Sequence, residues 1–366
     1  MPRKTLHPPD KILLAAFVVL LVVGTVALFS ASVNASQEDY GNLYGYFLHQ
    51  VFYGLLVGTV AAVGMYLFPY RHLKRLALPV FLGALFLMML VFVPGISREA
   101  AGAQRWIDVG FFVLQPSELA KFALIIYLAA WLETHKARLK DFSALVPFSV
   151  LLGLMAALLI LQPNFSTLML TAVIAGAMYF AAGAPWKYVG GLIAAGVLFA
   201  AAMIQIAPYR LRRLTTFFNP SEDPLGVSFQ INQALIAIGS GRIWGKGLAQ
   251  GLEHKRLLPE QMNDSIFAVW AQETGFLGAT FLIGLFGVIL VRGFRAATQA
   301  KDMFASLAAL GITIWLVTQA LFNMGAMMGL VPLTGIPLPF VSYGSSSLVV
   351  SMAAMGLLLQ LSRKAT

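Results

Sequence analysis

The sequence predicts an all-α polytopic membrane protein of about ten transmembrane helices. A large extracytoplasmic loop is expected between helices seven and eight, and a re-entrant-like loop between helices nine and ten. Three observations predict this class. Hydrophobic residues make up 59% of the 366 and charged residues only 11%, against about 25% charged in a soluble chain. Apolar runs close to the ~20 residues that cross a bilayer recur along the whole length. Lys and Arg gather in alternate connections between those runs. The chain therefore reads as one integral membrane domain over residues 1–366, with the outer loop at about 207–264.

The first run, Ile12 to Phe29, follows a basic start of Arg3, Lys4 and Lys11. It is longer than the ~7–15 apolar residues of a signal peptide and reads as a retained first span. Further runs fall near 47–68, 76–93, 117–133, 144–161, 166–183, 187–206, 265–291, 303–324 and 343–361. Each is expected to be helical, because hydrocarbon offers no partner for main-chain N–H and C=O groups and a helix satisfies them internally. Between the last two, Gly329 to Ser347 is rich in Pro, Gly and Ser but carries Leu330, Val331, Leu338 and Phe340. Such a segment can dip into the membrane where helices shield its backbone.

Ten spans put both ends on one side. That side holds the basic N-terminal start, Arg71, Lys74, Arg75, Lys136, Arg138, Lys140, Lys187, Arg292, Arg295, Lys301, Arg363 and Lys364, whereas the short opposite loops hold only Arg98 and Arg105. The bias of Lys and Arg toward cytoplasmic loops places both termini in the cytoplasm. The 207–264 loop breaks the pattern with Arg210, Arg212, Arg213, Arg242, Lys246, Lys255 and Arg256. Long loops translocate regardless of charge, so these cations fit either a solvated loop or a site for a phosphate-bearing lipid.

The absence of cysteine excludes disulfides, thiolate metal sites and cysteine nucleophiles, and the five scattered histidines form no pair at metal-ligand spacing. No resident cofactor is expected; a divalent cation from solution stays open. The net charge of +10 belongs to cytoplasmic loops rather than to nucleic acid, since no basic stripe is interleaved with aromatics.

The informative carboxylates are few. Glu118 and Lys121 fall within the fourth span at i, i+3 and share a face. Glu273 lies in the eighth span. Each ionisable group at the bilayer centre costs about 2.5–3.5 kcal/mol, so such groups are kept as interhelical pairs or along a polar pathway, and both readings stay open. Asp264 stands at the outer mouth of the eighth span, where a carboxylate serves as a helix cap or as a reactive group.

Four segments in order resemble the SEDS family of cell-wall polymerases over essentially the whole chain. They are Gly102–Ile107 with Gln115–Lys121; Phe218–Pro220, Asp223–Gly226 and Ala237–Gly241; Leu258-Pro259-Glu260 with Asp264; and Gly329–Ser347. The run Ile125–Leu132 leans toward the FtsW-like branch over the RodA-like one. The resemblance implies a glycosyltransferase that polymerises lipid II, a disaccharide-pentapeptide on undecaprenyl diphosphate, at the outer face of the cytoplasmic membrane during division. A RodA-like role in elongation and a lipid-linked precursor flippase are the alternatives. It implies a cognate single-pass class B penicillin-binding transpeptidase and other divisome proteins as partners. Asp264 would be the general base. Arg105 and Lys121 would hold phosphate or sugar, with Glu118 positioning Lys121. Glu260 and Glu273 would line the cavity, and Arg242 and Lys246 would contact lipid diphosphate. A diphosphate leaves as an anion, so it needs cations more than the second carboxylate that glycosidases use.

Overall fold

The computed structural model describes residues 8–100, 103–108, 110, 112–206, 208–218, 227–249 and 258–363. In chain order it forms α1 (Lys11–Tyr40), α2 (Gly45–His49) running through a π-helical stretch Gln50–Leu56 into α3 (Val57–Leu67), then α4 (Tyr70–Arg75) and α5 (Ala77–Leu90). Three strands follow, β1 (Ser97–Ala100), β2 (Ala103–Asp108) and β3 (Val113–Leu114), then α6 (Pro116–Thr134), α7 (Phe142–Leu161), α8 (Phe165–Ala181) and α9 (Trp186–Ile206). The rest comprises α10 (Pro208–Phe218), α11 (Val227–Ser240), α12 (Ile266–Thr298), α13 (Met303–Met327) and α14 (Ser345–Leu361).

Each of the ten apolar runs coincides with helix. Among the described residues, five helical stretches are long and apolar enough to cross a membrane: Lys11–Tyr40, Gly45–Leu67, Trp186–Gln205, Ile266–Thr298 and Met303–Met327. Ala77–Leu90, Val146–Leu161, Phe165–Ala181 and Ser345–Leu361 are shorter apolar helices. Two of the connections carry regular structure of their own. The short loop before the fourth span is a small antiparallel sheet in the order β1-β2-β3, and the 207–264 loop contains α10 and α11. Residues 219–226 and 250–257, including Lys255 and Arg256, lie outside the described residues.

Helix starts follow local chemistry. Asp10 accepts from Ile12 N at 3.0 Å and Leu13 N at 3.1 Å, and Asp302 from Ala305 N at 2.8 Å. Each thereby satisfies orphan donors of a first turn. Asp10 also pairs with Arg292. Burial alone would raise its carboxyl, but the Arg292 guanidinium and the Leu13 and Ile12 N–H groups together hold it below its ordinary value. Asp10 N donates to Ser362 Oγ at 3.1 Å, so the starts and ends of the helical body meet at one face.

α13 is the central helix; Trp315, Leu316, Gln319 and Ala320 are fully enclosed. α9 is peripheral, with Ile193, Val197 and Leu198 exposed as a lipid-facing surface requires. The segment after α13 folds inward as expected of a re-entrant loop. Ile336, Leu338, Phe340 and Val341 are buried, and other helices take up its main chain: Gln319 Nε2 donates to Pro337 O at 2.9 Å, Asn323 Nδ2 to Ile336 O at 2.9 Å, and Gln50 Oε1 accepts from Gly344 N at 3.2 Å. α1 admits this loop because residue 24 is glycine; a Cβ there would fall 2.1 Å from Phe340 O.

Candidate active site

Asp264 lies near the end of a tight turn, 258–265, that precedes α12. The turn is fixed from several sides. Ser265 N donates to Glu260 O at 3.1 Å and Tyr343 N to Met262 O at 2.8 Å. Ser342 Oγ donates to Asn263 O at 2.6 Å and Asn323 Nδ2 to Asp264 O at 2.8 Å. The cap residue of α12 is Ser265, which makes no side-chain cap bond. Asp264 therefore stands one residue outside the cap position, and the capping reading is set aside.

The Asp264 carboxylate faces the inward loop. A methyl group placed on Gly335 would lie 3.5 Å from Asp264 Oδ2 and 3.9 Å from Arg213 Nη1. Gly335 is also part of the wall of a cavity of about 360 Å³, to which Arg105, Asn164, Ser166, Arg210, Arg213 and Phe322 contribute. Burial, reinforced by the Glu260 carboxylate and opposed by Arg213 and Arg105, pushes the Asp264 carboxyl up from 3.8 to about 6.

Two elements deliver the three arginines. Arg105 shares the inward face of β2 with buried Ile107, two residues on. Its Nε donates to Gln162 O at 3.1 Å and its Nη2 to Pro163 O. Arg210 and Arg213 lie at i, i+3 on α10 and face one way. Arg210 Nη1 donates to Met203 O at 3.0 Å, its guanidinium sits 5.1 Å from the Phe165 ring centroid, and Arg213 Nη1 donates to Leu333 O at 3.4 Å. From the sequence, Arg210 and Arg213 are two among seven loop cations, open to a solvated loop or a phosphate-bearing lipid, and neither is singled out as a site residue. Their three-residue spacing beside apolar Leu211 and Leu214 was the available helical signal.

The other expected site residues are placed elsewhere. Lys121 and Glu118 are buried and paired at 2.8 Å. The ammonium also donates to Gln319 Oε1 at 2.8 Å, and Ser347 Oγ donates to Glu118 Oε2 at 3.1 Å. They do not line the cavity. They hold Gln319, which in turn holds Pro337 of the inward loop, so the geometry gives Lys121 a supporting contact rather than one on the cavity wall. Glu260 is exposed and accepts from Asn263 Nδ2 at 2.7 Å; its carboxylate reaches Asp264 through charge. Glu273 is buried between α1 and the 249 region, accepting from Ser30 Oγ and from Ala249 N at 3.1 Å, and is not on the cavity wall. Arg242 and Lys246 are exposed and likewise absent from that wall. Among the described residues, no group of three or more His, Cys, Asp or Glu side chains is placed to hold a metal ion.

Comparison with known proteins identifies the fold and the family. Residues 11–366 match the FtsW/RodA/SpoVE family model, described as cell cycle protein. A protein of Geobacter metallireducens named "Probable peptidoglycan glycosyltransferase FtsW" is 37% identical over 362 residues, covering 99% of this chain and 96% of its own. One of the same name in Thiomicrospira cyclica is 38% identical over 357 residues, covering 96% and 91%. Among solved structures, a chain from work on structural coordination of polymerization and crosslinking by a peptidoglycan synthase complex superposes with TM-score 0.80 at 29% identity, covering 97% of both chains. The rod shape determining protein RodA of Thermus thermophilus superposes with TM-score 0.70 at 28% identity, covering 97% and 96%. On a family match spanning nearly its whole length, this multi-pass membrane chain belongs to the FtsW/RodA/SpoVE family.

Proposed function

We propose that the chain is a peptidoglycan glycosyltransferase that polymerises lipid II at the outer face of the cytoplasmic membrane for septal wall synthesis. The observation that carries this reading is a carboxylate, Asp264, beside a cavity walled by Arg105, Arg210 and Arg213. Asp264 takes the proton from the acceptor sugar hydroxyl as that oxygen attacks the donor anomeric carbon. The arginines meet the negative charge that grows on the departing diphosphate, an effect that is strong because it acts in a site shielded from water. The septal assignment is supported by FtsW-named relatives at 37–38% identity, against 28% for RodA. A class B penicillin-binding transpeptidase and other divisome proteins are the partners, consistent with the similarity to a synthase that couples polymerisation to crosslinking. Purified chain with its transpeptidase partner, given lipid II, tests the reading; absence of glycan product under conditions that retain the fold overturns it.

A base works only as the carboxylate, so activity falls as pH drops through the pKa of Asp264. The acid limb of kcat/KM is expected near 6, above the ordinary 3.8. Glu260→Gln removes a neighbouring negative charge and moves that limb to lower pH. Arg213→Gln removes a positive one and moves it to higher pH. Limbs that stay fixed in both variants assign the titration to another group.

Both termini are placed in the cytoplasm and α10–α11 outside. The chain has no native cysteine, so single labels read cleanly. A cysteine at Ser221 is expected to react with an impermeant maleimide added outside, and one at Lys301 only after the membrane is opened. The reverse pattern inverts the topology and removes the site from lipid II on the outer leaflet.

A further inference from the structure

The helix that follows Asp264 is broken. Gly275 in α12 has φ 69° and ψ −164°, a conformation open essentially only to glycine. A break leaves main-chain groups without intrahelical partners, which hydrocarbon cannot satisfy. Residues 242–247 satisfy them. Lys246 N donates to Gln272 O at 3.0 Å and Gly247 N to Glu273 O at 3.0 Å, while Phe276 N donates to Arg242 O at 2.8 Å and Leu277 N to Ile243 O at 3.3 Å. The fit leaves no room for a side chain: a Cβ on Gly245 would fall 2.1 Å from Glu273 O, and one on Gly275 2.4 Å from Gly245 N. The segment is locked at the level of the break.

That level can be measured against the bilayer. At one end, Arg292 Nε of α12 donates to Asp10 Oδ2 at 2.7 Å, beside the start of α1. At the other, Ser30 of α1 donates to the Glu273 carboxylate of α12. At ~1.5 Å per residue, both helices cover about 28–30 Å between these two contacts. The hydrocarbon core is about 30 Å thick. With the Asp10–Arg292 pair at one boundary, the break falls at the other.

At this boundary Trp244 is 80% exposed, Ile243 58% and Leu248 53%, and Arg242 and Lys246 are exposed. Phe276, Leu277 and Phe281 continue as an exposed apolar strip of α12 toward the bilayer centre. Residues 241–249 contain no carboxylate, and the neighbouring Glu273 is turned inward to Ser30 and Ala249. An exposed indole between two cations, above an apolar strip, matches the headgroup layer: amphipathic rings seat there and cations meet lipid phosphates.

We propose that residues 242–248 dock into the headgroup layer of the leaflet on the Asp264 side. Arg242 and Lys246 meet phospholipid phosphates and Trp244 takes the interfacial seat, so the membrane itself braces the break that supports the half of α12 next to Asp264. The full chain carrying a nitroxide at Trp244→Cys, or at Leu248→Cys should the first fail to fold, is reconstituted in phosphatidylethanolamine–phosphatidylglycerol vesicles. Its collisions with oxygen and with an aqueous nickel chelate give its depth, with Phe281→Cys as the deep reference. The expected depth is the phosphate level, shallower than position 281. Raising phosphatidylglycerol is expected to draw the label inward, and Arg242→Gln with Lys246→Gln to abolish that response. A label as accessible to nickel as one in bulk water overturns the docking and leaves the segment to a protein partner. An identical lipid response in the Gln variant overturns the phosphate contacts.

Discussion

Asp264→Asn is expected to insert, fold and bind lipid II as the wild-type chain does, while polymerisation falls at least about a hundredfold, the lower range for loss of a general base. Asparagine keeps the size of the side chain and removes the site that accepts a proton. The turn around it is held by main-chain bonds, from Asn323 Nδ2 to Asp264 O and from Ser342 Oγ to Asn263 O, and neither needs the carboxylate. Ser265, not Asp264, is the cap of α12, so no capping loss of about 1 kcal/mol accompanies the substitution. Single-turnover assays with the transpeptidase partner separate binding from chemistry. An Asn variant within a few-fold of wild type moves the base elsewhere, with Glu260 next to be tested.

Much of this arrangement was legible in the sequence because hydrocarbon imposes one rule. Every apolar run had to be helical, and all ten are. Glu118 and Lys121 were legible as a pair from their spacing alone, since i, i+3 side chains meet on one face. What the sequence left hidden depends on contacts between distant segments. The run from Ile266 onward is apolar on both sides of Gly275 and reads as one helix; the break exists because residues 242–247 supply main-chain partners from elsewhere. β1, β2 and β3 are only four, six and two residues long, too short for a period-2 pattern to emerge from a loop, yet β2 aims Arg105. Arg210 and Arg213 looked like loop charge until α10 turned both toward the cavity. Arg242 and Lys246 show the converse: their side chains point outward, and their main chains do the structural work.

The second large effect is expected at Lys121. Its ammonium is enclosed among Glu118, Gln319 Oε1 and the Trp315 ring, whose centroid is 5.1 Å away. Lys121→Met fills a similar volume but leaves Glu118 as a buried charge whose remaining partner is Ser347. Removing one member of a buried pair typically costs about 3–5 kcal/mol. The same residues also carry force toward the site. Gln319 accepts from both Lys121 Nζ and Trp315 Nε1 at 2.8 Å and donates to Pro337 O at 2.9 Å, two residues from Gly335, which faces Asp264. Lys121→Met is therefore expected to lower both thermal stability and polymerisation. Glu118→Gln combined with Lys121→Met removes the stranded charge and is expected to recover part of the stability, because no buried charge is left unpaired and the amide oxygen can still accept from Ser347 Oγ. Activity in that double variant decides the role. If the pair acts only by keeping Glu118 from standing as an unpaired charge, Trp315 Nε1 still holds Gln319 and with it the inward loop, and activity returns along with stability. If stability returns and activity stays lost, the Lys121 ammonium itself is required, and a role confined to neutralising Glu118 fails.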